Sequence, residues 1–225
     1  MARHPSRTDG DRNRHPCPYL LKNISAMTMA RSTLSACRRS ENVGATNVAR
    51  YELVDGRLIE MPPASFKQSD IIDFIADCFK AIAREYKLDI KVKTGDVGVK
   101  TGMNSCLIPD ILVIDGQVWK SCRRDKSAVI EDGVMLAVEV VSPGAEQIAR
   151  DYTDKATEYQ NTGIPEYWIV DPIEQKITVL VLDKGIYTKT VFTLDDAIAS
   201  PTFPQLKLIA TEILEAWVNL PKTVL

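Results

Sequence analysis

The run Val134 to Gly144, V-M-L-A-V-E-V-V-S-P-G, decides how this chain is read. Seven of its first eight residues are apolar, and Glu139 stands among them. A continuous apolar run of this length, stopped by Ser-Pro-Gly, reads as a central strand buried on both faces. An ionised carboxylate in such a strand costs several kcal/mol unless something offsets it. What Glu139 faces is therefore the first question about function.

Downstream, a helix is expected from about Glu146 to Gln160, closing before Gly163. Ile148, Tyr152, Ala156 and Tyr159 recur at helical spacing as its buried stripe, and Lys155 falls on or beside that stripe. A lysine there either covers apolar surface with its stem or reaches the carboxylate of the preceding strand. Three strands follow, EYWIVD (166–171), KITVLVL (176–182) and IYTKTVF (186–192), then proline-punctuated coil and a last helix over 211–219. Upstream, YELVDGRLIEM (51–61) reads as a hairpin around Asp55-Gly56. After Pro62-Pro63 a helix capped by Ser69 or Asp70 should run to about Tyr86, with Ile71, Ile72, Ile75, Phe79 and Ile82 on one face. LDIKVKTGDVGVK (88–100) alternates as one strand, LIPDILVID (107–115) is a short buried one, and 115–133 reads as a polar loop. The pattern gives an α/β (α+β) domain over 48–225: a mixed sheet, flanking helices and one crossover helix.

Composition excludes several classes. No stretch approaches the ~18 to 20 apolar residues of a membrane span. The five cysteines, at 17, 37, 78, 106 and 122, form neither a CxxC pair nor a Cys/His cluster, which favours a reducing, cytoplasmic setting over a disulfide framework or zinc site. Both histidines, His4 and His15, lie in the N-terminal stretch, so a His-based triad is not expected. Residues 1–50 carry nine Lys/Arg against three Asp/Glu, whereas 51–225 carry 19 against 27. Residues 1–47, rich in Arg, Ser, Asn and Pro, read as a disordered basic extension. The same composition fits an organelle transit peptide, or an upstream start with Met27 or Met29 opening the natural protein.

Asp110 opens the strand after Pro109. An Asp at a strand start, a Glu in a following buried strand and an inward Lys on the next helix make a coherent set. Two carboxylates converging in a sheet suit a hard cation, Mg²⁺ or Mn²⁺, and a nearby lysine can orient water or steady a phosphoryl transition state.

The segments YELVDGRLIEMPP, PDILVI, LAVEVVSPG and DYTDKATEYQNTGIPEYWIVDP together resemble the Uma-two family, restriction-endonuclease-like proteins of the PD-(D/E)XK nuclease superfamily. The resemblance spans roughly residues 51 to 215, with the motifs in family order. It implies a restriction-endonuclease-like fold, with Asp110 as the PD aspartate and Glu139 as the (D/E)XK acid, both metal ligands. The superfamily's usual lysine position falls on Val141, and the resemblance moves that role to Lys155. It also implies a part for Glu52, the family's early glutamate, and for Asp151, an acid one turn before the lysine. Many members carry a histidine where this chain has Gln68, which removes any histidine-assisted role.

The function implied is a Mg²⁺-dependent DNA endonuclease. Lys91, Lys93 and Lys100, with Arg123, Arg124 and Lys126, are the candidate phosphate contacts. The rivals are a non-catalytic DNA-binding or regulatory module, and a hydrolase of another phosphoester. A homodimer is expected by analogy with nucleases that cut both strands.

Overall fold

The computed structural model describes residues 50–122 and 127–218. The N-terminal extension and Arg123, Arg124 and Lys126 lie outside the described residues.

Strands β1 (Arg50–Val54) and β2 (Arg57–Met61) form the expected hairpin. Its turn residues, Asp55 at φ 47° and Gly56 at φ 79°, both have positive φ, as a two-residue turn between twisted strands demands. Helix α1 (Phe66–Glu85) begins earlier than the sequence suggests. Ser65 is its N-cap: the Ser65 hydroxyl accepts from the Gln68 N–H, and the Gln68 side chain accepts from the Ser65 N–H. Ile71, Ile75 and Phe79 are fully buried on its inner face.

The alternating run after α1 proves to be two strands in different sheets, β3 (Ile90–Thr94) and β4 (Gly98–Gly102). They are parted at Gly95, whose φ of 54° breaks the extended chain. Strands β5 (Ser105–Leu107) and β6 (Ile111–Asp115) flank Pro109-Asp110. The segment expected as loop holds helix α2 (Gly116–Ser121) and strand β7 (Val129–Ile130). The Asp115 carboxylate caps α2, accepting from the N–H groups of Gln117 and Val118 at 2.8 and 3.0 Å.

The opening run is β8 (Val134–Val140). The crossover helix comprises α3 (Ala145–Ala149), a π-helical turn (Arg150–Asp154) and α4 (Lys155–Thr162), ending on left-handed Gly163. It returns to β9 (Glu166–Asp171), which runs parallel to β8. Strands β10 (Lys176–Asp183) and β11 (Ile186–Thr193) and a short helix α5 (Ala210–Leu214) complete the fold.

The described strands form two sheets rather than one. The larger has the order β11-β10-β9-β8-β6-β3, and the smaller β2-β1-β5-β4-β7. Alternation along β8 sorts its side chains between two cores. Leu136, Val138 and Val140 pack with α1, α5, Trp168 and Phe203, whereas Ala137 and Val141 face the crossover helix and Val99, Leu107 and Ile130 of the smaller sheet. Glu139 belongs to that second face by register.

Phe79 stacks on Phe203 at 4.4 Å and meets Trp168 edge-on at 5.5 Å, whereas Phe66, on the same helix, is 92% exposed. Phe79→Ala is therefore expected to cost about 3–5 kcal/mol in denaturant unfolding. Phe66→Ala should stay within about 0.5 kcal/mol of wild type.

Candidate functional site

The site forms where the two sheets meet the crossover helix. Glu139 projects from β8 and is almost fully buried. Its Oε1 receives the Lys155 ammonium at 2.8 Å and the Tyr159 hydroxyl at 3.0 Å. Both donors come from α4, spaced four residues apart on one face. The Tyr159 ring packs edge-to-face on Tyr167 at 4.9 Å, which fixes the hydroxyl's aim.

Asp110 sits just before β6, the strand paired with β8. Its Oδ2 accepts the Val140 N–H at 2.8 Å, which ties it to the residue after Glu139. Gln68, at the head of α1, donates its amide to the Val140 carbonyl at 3.0 Å and to the Ser142 hydroxyl at 2.8 Å. Gln68, where the resemblance leads one to expect a histidine, is here a brace between helix and strand end.

Glu52, from β1 of the smaller sheet, is fully buried. Its Oε1 accepts the Ile108 N–H at 2.8 Å and lies 3.7 Å from the Lys155 ammonium, while its Oε2 pairs with Arg150. Asp151 supplies the i, i+4 partner of Lys155, at 3.5 Å.

These groups surround an open cavity of about 60 Å³ whose wall includes Asp110, Glu139, Asp151, Arg150, Lys155 and Gln68. Glu52 lies behind that wall, holding the two cations from the rear.

Four carboxylates thus stand among three cations: Lys155 and Arg150 from the crossover helix, and Arg50 at the start of β1. Burial dominates the titration of Glu139, Asp110 and Asp151. It raises the Glu139 carboxyl to about 8; Lys155 opposes the rise, and Asp110 and Asp151 add to it. Burial likewise raises Asp110, against the pull of Lys155 and the Val140 N–H, and it raises Asp151. The Tyr159 phenol is pushed well above its ordinary value by burial and by Glu139, so it remains a donor.

Among the described residues, no group of three or more His, Cys, Asp or Glu side chains is arranged as a metal cage. Asp110 and Glu139 are two carboxylates of the cavity wall that could hold a hard cation. That suits Mg²⁺, which is usually held by one or two carboxylates with water and substrate phosphate completing its shell. Within the protein Asp110 Oδ2 accepts from the Val140 N–H, and Glu139 Oε1 from Tyr159 and Lys155.

The other expected site residues stand apart. Lys91 is exposed on β3, Lys93 pairs with Asp96 at 2.7 Å, and Lys100 pairs with Glu131 at 3.0 Å. None of the three lines the cavity. Sequence reasoning missed Arg150 and the hydroxyl role of Tyr159. Arg150 sits outside the apolar stripe of the helix, and Tyr159 reads simply as core.

An acid at one strand start, an acid in the neighbouring strand and a lysine from the crossover helix are gathered on one cavity, in a fold similar to that of a solved nuclease-like protein. More particularly, the chain belongs to the Uma2 family, described as "Putative restriction endonuclease", whose profile matches residues 40–212. The fold is similar to a crystal structure described as that of a putative nuclease belonging to DUF820 from Anabaena variabilis ATCC 29413. The TM-score is 0.61 at 17% identity, covering 75% of this chain and 91% of that one. No curated relative matches the chain. Among the described residues, no helix is long and apolar enough to cross a membrane.

The raised Glu139 carboxyl has a consequence for stability. Folded Glu139 keeps its proton up to about pH 8, whereas the unfolded carboxyl releases it near ~4.3. Between those values the folded state holds more protons, so this contribution is complete below the lower value and lost as pH rises through the upper one. Metal-free protein should be less stable to urea at about pH 9 than at about pH 5.5, and Glu139→Gln should flatten part of that difference. Equal wild-type stability at both pH values would contradict the assignment.

Proposed function

We propose that the protein is a Mg²⁺-dependent DNA endonuclease, with Mn²⁺ also able to serve. The observation that carries the reading is three carboxylates, Asp110, Glu139 and Asp151, gathered with Lys155 around one solvent-reachable cavity, in a chain of this family. A relic would have no need to keep so costly an arrangement.

In this reading Asp110 and Glu139 hold the cation. When bound, it supplies Lewis-acid stabilisation of phosphoryl charge and lowers the pKa of a coordinated water. The Lys155 ammonium, beside Glu139, orients the attacking water and steadies negative charge on the phosphorus-bound oxygens. Tyr159 fixes the Glu139 rotamer through its hydroxyl. Glu52 holds Lys155 from behind and acts by positioning. The phosphodiester is cut by in-line attack of water.

Beyond the cavity, the proposed DNA path includes Lys91, Lys93 and Lys100. Lys93 and Lys100 would exchange Asp96 and Glu131 for phosphate, which makes their contribution strongly salt-dependent. A homodimer is proposed for double-strand cleavage, by analogy alone.

Purified protein should nick supercoiled plasmid with Mg²⁺ or Mn²⁺, and Glu139→Ala, Asp110→Asn and Lys155→Ala should each lower the rate at least about 100-fold. Nicking that persists undiminished in Glu139→Ala would sink the proposal. Wild type that binds DNA tightly yet never nicks it would indicate the non-catalytic module.

A further inference from the structure

Arg50, exposed at the start of β1, is the most open cation of the cavity wall, and of the two on the crossover helix Arg150 is more open than Lys155. The Arg150 side chain keeps 20% of its accessibility and that of Lys155 only 5%. Yet both address the same carboxylate, Arg150 on Glu52 Oε2 and Lys155 towards Oε1. They are five residues apart. In an uninterrupted α-helix, at 3.6 residues per turn, side chains five apart diverge by about 140° around the axis.

The π-helical turn removes that divergence. The Lys155 N–H donates to the Arg150 carbonyl, five residues back, which brings residue i+5 over residue i. The turn is anchored from β9, where the Tyr167 hydroxyl donates to the Asp151 carbonyl at 3.0 Å. The result is a helix whose register is altered so that Arg150, Asp151 and Lys155 all reach one cavity.

Neutralising Glu52 does not by itself require this device. Glu52 Oε1 already accepts a backbone N–H and lies near Lys155. What the turn adds is a second, half-buried guanidinium in a cavity wall that already holds Arg50. A guanidinium carries five N–H donors in a rigid fork, so one edge can rest on a carboxylate while others point elsewhere. Arg150 lines the cavity beside Asp110 and Glu139, so donors not used by Glu52 are available on that side.

We infer that Arg150 is a substrate-contacting residue, braced by Glu52 and offering its free N–H groups to a phosphate oxygen of the DNA strand in the cavity. The inference rests on the nuclease reading above and deepens it. The group recognised is a phosphodiester, not a base, so the contact serves every sequence alike. Arg150 and Lys155 then form two arms on one phosphate, the former for binding and the latter for the attacking water.

Binding of a short fluorescent DNA duplex to the full chain, with Ca²⁺ replacing Mg²⁺ to slow turnover, provides the test. Arg150→Ala should weaken binding about tenfold or more, as loss of a charged hydrogen bond does. It should also reduce the slope of log K against log salt by about one. Arg150→Lys should keep the slope and recover only part of the affinity, because the fork is lost. Should Arg150→Ala fail to fold with Glu52 unpaired, the double variant Glu52→Gln/Arg150→Gln removes both charges together and must show the same reduced slope. Variants with lowered thermal midpoints but unchanged affinity and slope would overturn the inference alone, leaving Arg150 as a neutraliser of Glu52. Wild type that binds no DNA at any salt would overturn it together with the nuclease reading.

Discussion

A carboxylate buried in the central strand of a sheet must be answered by something, and the form of the answer organises this molecule. Glu139 is met by an ammonium and a phenol from the crossover helix. These partners do not suffice: Glu52, Asp110 and Asp151 crowd the same few ångströms, and burial raises the carboxyl of Glu139 to about 8. Carboxylates buried beside one another favour either protons or a divalent cation. A bound cation would reverse the direction of the shift by stabilising the ionised carboxylates. On this account the unfavourable electrostatics of the carboxylate cluster and the chemistry proposed for it have the same cause.

The rest of the fold holds that arrangement in place from several sides. The antiparallel pairing of β6 with β8 sets Asp110 beside Val140, and the Asp110–Val140 hydrogen bond fixes the relative height of the two acids. Gln68 ties the head of α1 to the same strand end, so the capping box of a long core helix also braces the site. Glu52 arrives from the smaller sheet and grips both basic residues of the crossover helix. No one element carries the site; it exists only when both sheets and the helix between them are assembled.

Much of this was legible in the sequence because it violated a local expectation. A Glu in an apolar run and a Lys on an apolar stripe stand out against the periodicities around them, and both prove to be partners. Asp55-Gly56 and Gly163 announced a turn and a helix end through backbone chemistry that few other residues satisfy. Val141, at the superfamily's usual lysine position, is fully buried against the crossover helix, which makes Lys155 the nearby source of an ammonium. What escaped was set by tertiary context. Alternation over 88–100 is the same whether one strand or two, and only the left-handed Gly95 divides it. Ser65 follows a proline pair and an alanine, so a later Ser or Asp competed as the cap. The π-helical turn has no periodicity of its own, and with it Arg150 was hidden as a site residue.

The account stands or falls on whether Asp110 and Glu139 share a cation. Crystals grown with Mn²⁺ and measured near its absorption edge answer this directly through the anomalous difference map. The account predicts one strong peak bonded to an oxygen of each carboxylate, at roughly the 2.0–2.2 Å expected for so small a divalent ion. A map with no peak in the cavity, or with Mn²⁺ held elsewhere while Lys155 alone meets Glu139, would contradict it.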